Sequence, residues 1–203
     1  MITLYGSAAS RASRSLLALE ELSLRYDHVP LKPWVNPGDG ETLARINPNA
    51  RVPVLDDDGL VLWESMAINL YLADRYGRAP FWPADVSDRA RLYQWSVWSQ
   101  TEIDVRARHI ARFSNDAQTK HRAEAERLAA LRILDGALVD RSYLVGDVFT
   151  AADLNVAATL SELWENGLVD GELKPADHGL AALDGWLARC TNRASWQRIR
   201  GLL

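Results

Sequence analysis

Asn47-Pro48-Asn49-Ala50-Arg51-Val52-Pro53-Val54-Leu55, with Glu64-Ser65 shortly after, is the stretch on which the reading of this chain turns. Proline brings no N–H to a sheet ladder. Val52-Pro53 ahead of an apolar run therefore predicts a strand that begins at an edge or a bend, with the Val52 backbone left to pair with an extended ligand. β-rich runs at 52–55 and 60–63 flank Asp56-Asp57-Asp58-Gly59, which predicts a hairpin. Ser65 then opens a helix that carries Ile68, Leu70, Tyr71 and Leu72 and stops near Tyr76-Gly77. At its start a backbone N–H and the Ser65 hydroxyl suit a carboxylate, and Glu64 suits an ammonium group, so the pair matches an amino-acid zwitterion. A strand end followed by an ordinary capped helix accounts for the same residues.

Upstream, residues 2–5 read as a short strand ended by Gly6, and Leu16, Leu17, Leu19 and Leu22 give a helix from about Ser10 to Ser23. Residues 26–31 return to strand composition. The Pro- and Gly-containing segment 34–40 reads as a break, and 41–46 as a short helix. A β-α-β start, a hairpin and a closing helix make the thioredoxin-like order. The junction of first strand and first helix, Gly6-Ser7-Ala8-Ala9-Ser10-Arg11-Ala12-Ser13-Arg14, has no cysteine, so Cys-x-x-Cys redox chemistry is excluded there. It offers serine hydroxyls beside a helix N-terminus, where backbone N–H groups and the helix dipole favour an anion. Ser10 fits a plain N-cap, and it also fits a hydroxyl that accepts a backbone N–H while donating its own proton to a bound thiolate.

Downstream, Pro80 and Pro83 mark a linker, and no comparable strand alternation returns. Ser87 is a candidate cap for a long helix over 88–113. A second helix over 120–138 carries Leu128, Leu131, Leu134 and Leu138 on one stripe, and the two are expected to form the core of a helical domain. Thr150-Ala151-Ala152-Asp153 is a capping-box pattern, with further helices near 180–190 and 195–200. The fold expected is an α/β thioredoxin-like N-terminal domain (1–77), a linker (78–86) and an all-α helical C-terminal domain (87–203).

The 203 residues carry a net charge of −4, 48% apolar and 25% charged residues, the profile of a globular chain without the basic field that nucleic acid demands. No run reaches the ~18 apolar residues of a membrane span, and the N-terminus lacks a signal-peptide pattern. The single cysteine, Cys190, closes no internal disulfide and fits a reducing compartment, and it reads as a small buried apolar residue. No metal site is expected: His109 stands without grouped ligands.

With these residues on the page, the chain resembles a cytosolic glutathione S-transferase over essentially its whole length. The resemblance rests on the strand and Ser-rich turn 2–14, the Asn47-Pro48 to Pro53 run, Glu64-Ser65-Met66-Ala67-Ile68 and the Thr150–Asp153 cap. It implies the glutathione transferase fold and a serine-type, theta-, phi- or zeta-like bacterial member. It implies a cis Pro53, Val52 pairing through its backbone with the cysteinyl part of glutathione, Glu64 and Ser65 holding the γ-glutamyl end, and Arg51 as a further contact. It points to Ser10 as the group that activates the thiol, with Ser7, Ser13 and Tyr5 as competitors.

The implied activity is attack of glutathione, a cosubstrate, on a small apolar electrophile, as in cytoplasmic detoxification by a homodimer. Glutathione-dependent isomerisation, dehalogenation and a non-catalytic scaffold are the rival readings. Tyr93, Trp95, Trp98, Glu102, Arg106 and His109 are candidates for a second-substrate wall, although aromatic residues on such a helix also serve as core or dimer contacts.

Overall fold

The computed structural model describes residues 1–105, 117–165 and 175–202. They form two compact units, Met1–Arg78 with Ala194–Leu203, and Ala79–Arg193.

The first unit is built on β1 (Ile2–Tyr5), α1 (Ala12–Glu21), β2 (Tyr26–Val29), α2 (Pro37–Ala44), β3 (Val54–Asp57), β4 (Leu60–Trp63) and α3 (Ser65–Tyr76). The sheet order is β2-β1-β3-β4, with β1 parallel to β2 and antiparallel to β3, and β3 antiparallel to β4. This is the thioredoxin-like arrangement expected. Leu4, Leu16, Leu19, Val54, Leu55, Ile68 and Leu72 are fully buried, and α1 packs on α3. Alternation in β1 buries Ile2 and Leu4, whereas nearly every position of α1 from Ala12 to Leu19 is buried.

The second unit contains α4 (Val86–Trp98), continued by a π-helical segment Ser99–Asp104, then α5 (Ala117–Leu138), α6 (Ala151–Glu165), a 3-10 turn Pro175–His178 and α7 (Ala181–Thr191). Residues 150–161 are all buried, so α6 is the central helix of this unit. Of the helices expected over 88–113 and 120–138 to make the core, residues 106–113 lie outside the described residues, and the rest share the core with α6. In α4 only Leu92 and Ser96 are buried, because a helix with apolar or small residues all round takes the middle and leaves striped helices outside. Leu131, Leu134 and Leu138 do face inward, while Leu128 is half-buried.

The capping box at 150–153 forms as read. The Thr150 Oγ1 accepts from the Ala152 N–H at 3.2 Å, and Asp153 accepts from both the N–H and the hydroxyl of Thr150 at 2.9 Å. Asp153 also accepts from the Leu144 N–H and from Trp186 Nε1, each at 2.9 Å, which ties α7 and the preceding loop to α6. Burial pushes its carboxyl pKa up, and these donors offset only part of that rise.

Three local differences have clear causes. Segment 34–40 is not a plain break: Asn36 accepts from the Gly38 N–H at 3.1 Å and Pro37 occupies the first helical position, so α2 begins there. Asp85, not Ser87, caps α4, accepting from the N–H groups of Ser87 and Asp88 at 2.8 and 3.2 Å. Finally α8 (Ala194–Arg200) groups with the first unit and not with 87–193. Its Ser195 hydroxyl donates to Glu21 and its Arg198 guanidinium to Glu20, which also accepts from the Tyr26 hydroxyl at 2.8 Å. Trp196 and Ile199 are buried under the same contact.

Candidate functional site

Strand register brings the sequence-predicted residues to one end of the sheet. Tyr5 pairs with Val54 and Val54 with Trp63, so the residues just beyond these partners, Gly6, Pro53 and Glu64, emerge side by side. Gly6 has φ +131°, and a Cβ placed on it would meet the Cβ atoms of Ala12 and Val52 at 2.8 Å each. The first turn of α1 and the residue before Pro53 therefore close over a position that only glycine fills. His28, one strand over, makes a 2.8 Å hydrogen bond from Nε2 to the Gly6 carbonyl.

The turn before α1 is knitted by its own serines. Ser10 Oγ donates to the Ser7 carbonyl at 2.6 Å and accepts from the Ala12 N–H at 3.1 Å. Ser7, 4% exposed, accepts from the Ala9 N–H at 3.3 Å. The residue at the N-cap position of α1 is Arg11, which makes no side-chain capping bond, while Ser10 holds the Ala12 N–H and stays half-exposed and Ser7 is buried. Ser13 and Tyr5 are half-buried, in α1 and β1 respectively.

The Val52–Pro53 peptide bond is cis. Asn47 shapes the loop that leads to it: buried, it donates from Nδ2 to the Arg51 carbonyl at 2.7 Å and accepts from the Asn49 N–H at 2.9 Å. Val52 is half-buried and Pro53 buried, while the Arg51 side chain is exposed. Sequence reasoning gave no role to Asn47, Gly6 or His28. An Asn-Pro pair signals a turn, but its reach to the carbonyl four residues on is a matter of loop conformation.

Glu64 joins β4 to α3 at φ 73°, ψ 112°, a conformation costly for a residue with a side chain. Its side chain is exposed and makes no capping hydrogen bond to α3. Ser65 follows at 4% exposure. An uncapped helix start and a buried hydroxyl can hydrogen-bond a carboxylate, and the exposed Glu64 carboxylate can attract an ammonium group.

On the helical unit, Tyr93 is 44% exposed and meets Trp82 edge-on at 5.9 Å, and Trp95 and Trp98 are edge-on at 5.2 Å. Glu102 lies half-buried in the π-helical segment, and Arg106 and His109 lie outside the described residues. Among the described residues no cluster of histidine, cysteine or carboxylates has the grouping of a metal site, and Cys190 is buried.

A thioredoxin-like sheet with a cis proline opposite its first turn, followed by a helical unit, defines the class of glutathione-binding transferase folds. Residues 1–74 match the family described as glutathione S-transferase, N-terminal domain, and residues 97–194 match its C-terminal domain. Glutathione S-transferase GstB of Escherichia coli K12 is 31% identical over 178 residues, covering 83% of this chain and 86% of that protein. Glutathione S-transferase 1 of Schizosaccharomyces pombe is 32% identical over 163 residues, 74% of this chain and 68% of that one. Among solved structures, glutathione S-transferase-I bound with lactoylglutathione superposes with a TM-score of 0.82 at 22% identity, covering 100% of this chain and 99% of its own. The chain belongs to the glutathione S-transferase family.

Proposed function

We propose that the protein is a serine-type glutathione transferase: it binds glutathione against Val52, Pro53, Glu64 and Ser65, and Ser10 holds the thiol as thiolate for attack on a small, largely apolar electrophile. The observation that carries this reading is the meeting, at one sheet end, of a strained Glu64, an uncapped α3 and the cis Val52–Pro53 bond beside the Gly6 turn. Backbone strain like that of Glu64 persists only where the surrounding structure holds it. Arg51, exposed on the same loop, is the further contact.

The magnitudes suffice. A free thiol with pKa near 8.5 is about 3% ionised at pH 7, and lowering it to about 7 takes roughly 2 kcal/mol of preference for the thiolate. The Ser10 hydroxyl already donates to the Ser7 carbonyl. Turning it to a sulfur anion exchanges a neutral hydrogen bond, worth about 0.5–1.5 kcal/mol, for a charge-assisted one of about 1.5–3. The start of α1 adds about 0.3–1 kcal/mol. The thiol proton leaves to solvent, the sulfur forms a bond to the electrophilic carbon, and the displaced group departs with the electron pair.

A cytoplasmic homodimer engaged in detoxification completes the reading. Among the described residues no helix is long and apolar enough to cross a membrane. Exposed Leu60, Val61 and Trp63 on β4, and Tyr93 and Val97 on α4, supply apolar surface for a second copy. Light scattering tests this, and a monomer at micromolar concentration rejects it. For the catalytic step, thiolate absorbance of bound glutathione is titrated against pH in the parent protein and in Ser10→Ala and Ser13→Ala. An unshifted thiol pKa in the parent, or an unchanged titration in Ser10→Ala, overturns the mechanism.

A further inference from the structure

Asp57 ends β3 at the end of the sheet opposite the site, between Ile2 of β1 and Leu60 of β4. In the hairpin, Val54 and Trp63 pair at the site end and Asp57 and Leu60 at the far end. Helix α3 starts two residues after Trp63 and runs its 12 residues, about 18 Å at 1.5 Å per residue, back toward Asp57. There the chain has placed a carboxylate that is only 6% exposed. Its Oδ2 accepts from the Tyr71 hydroxyl at 2.7 Å and from the Tyr76 hydroxyl at 2.6 Å. Arg75 Nε lies 3.4 Å from the same oxygen and 3.0 Å from the Tyr76 hydroxyl, to which it donates. Every one of these donors comes from the second half of α3.

An apolar contact would hold α3 on the sheet as well, but it would tolerate sliding and rotation about the helix axis. Hydrogen bonds converging on one buried oxygen tolerate neither, since they weaken steeply with distance and angle. At its other end α3 is joined to β4 through Glu64 alone, whose backbone is held in an unfavourable conformation. We propose that Asp57 is a positioning residue for glutathione: by clamping Tyr71 and Tyr76 it fixes the rotation of α3, and so keeps Glu64 and the hydroxyl and N–H of Ser65 aimed at the ligand beside Val52–Pro53.

The inference rests on the reading of Glu64 and Ser65 as the γ-glutamyl site, and its test separates the two. Glutathione affinity is measured by calorimetry, well below each protein's melting temperature, for the parent, Asp57→Leu, Asp57→Asn, Tyr76→Phe, Ser65→Ala and the Asp57→Asn/Ser65→Ala pair. Asp57→Leu is expected to raise Kd about fivefold or more. Asp57→Asn, whose amide oxygen still accepts a phenol, and Tyr76→Phe are expected to lie between it and the parent. Because Asp57 acts in part through Ser65, the double substitution weakens binding by less than the product of the two single effects.

A lower melting temperature with Kd unchanged in the Asp57 and Tyr76 variants, or effects of Asp57 and Ser65 that simply multiply, overturns the positioning role. Should Asp57→Leu fail to fold, Asp57→Asn and Tyr76→Phe decide it by the same criteria. Absence of binding by the parent protein strikes down the γ-glutamyl reading itself, and with it this proposal.

Discussion

Gly6 and Val52 approach so closely that a Cβ on Gly6 would lie 2.8 Å from that of Val52. The contact couples the turn holding Ser10 to the loop holding Pro53. A methyl group there also meets Ala12 at 2.8 Å and must adopt φ +131°. Gly6→Ala is expected to cost about 3 kcal/mol or more through strain and overpacking. It also moves Val52 outward, so in the folded fraction glutathione affinity falls by at least tenfold. Urea denaturation and calorimetry read the two effects.

Ser10→Ala removes both the bond to the Ser7 carbonyl and the acceptor of the Ala12 N–H. Stability is expected to drop by about 1 kcal/mol, the usual cost of a lost cap. The thiol pKa of bound glutathione should climb back toward 8.5, cutting turnover at pH 7 by about tenfold while KM for glutathione changes little. A large KM effect with an unshifted thiol pKa would assign Ser10 to the fold alone.

Asp153→Ala leaves the donors of Leu144, Thr150 and Trp186 without their acceptor in a buried setting. At about 1–3 kcal/mol for each orphaned donor, partly relieved by relaxation, a loss of about 3–5 kcal/mol is expected. The melting temperature reports it, and glutathione binding by the folded fraction stays intact.

Stability should bend at both ends of the pH scale through one cluster. Burial pushes the Asp57 carboxyl up, but the hydrogen bonds from Tyr76 and Tyr71, with Arg75 and the N-terminal ammonium, outweigh it, leaving its pKa below the ordinary carboxylate value. Its contribution is therefore present above about pH 4 and lost as pH falls through the lowered value. Burial and the bond to Asp57 push the Tyr71 phenol up to about 12. Above about pH 10 the unfolded chain gives up this proton while the folded chain keeps it, so stability declines with rising pH. Denaturation midpoints against pH should flatten on the alkaline side in Tyr71→Phe and on the acid side in Asp57→Asn.

Much of the first unit was legible because each of its elements carries a local signal. The hairpin formed around Gly59 and the cap at 150–153 formed as read, but β3 starts at Val54 and runs on through Asp56 and Asp57, which pair with Val61 and Leu60 and leave Asp58-Gly59 as the turn. Asn36-Pro37 misled, because the same residues that break a chain also start a helix, and only the hydrogen bond to the Gly38 N–H decides between the two. The site was legible as a set of types: hydroxyls at a helix start, a proline at a strand start, an acid beside a serine. Its geometry was not. The backbone angles of Glu64, the reach of Asn47 to Arg51 and the closeness of Gly6 to Val52 arise from contacts distant in sequence, which no local pattern encodes. The clamp on Asp57 was hidden for the same reason, since three adjacent aspartates read as a solvated turn until Tyr71 and Tyr76 come back to one of them.

The return of α8 to α1 has a consequence for how the molecule is made. Glu20 and Glu21 leave the ribosome early, but the groups that cover them, Arg198 and Ser195, follow 178 and 174 residues later. The flank of the sheet unit thus stays open until the helical unit that lies between its two pieces in the chain has been synthesised.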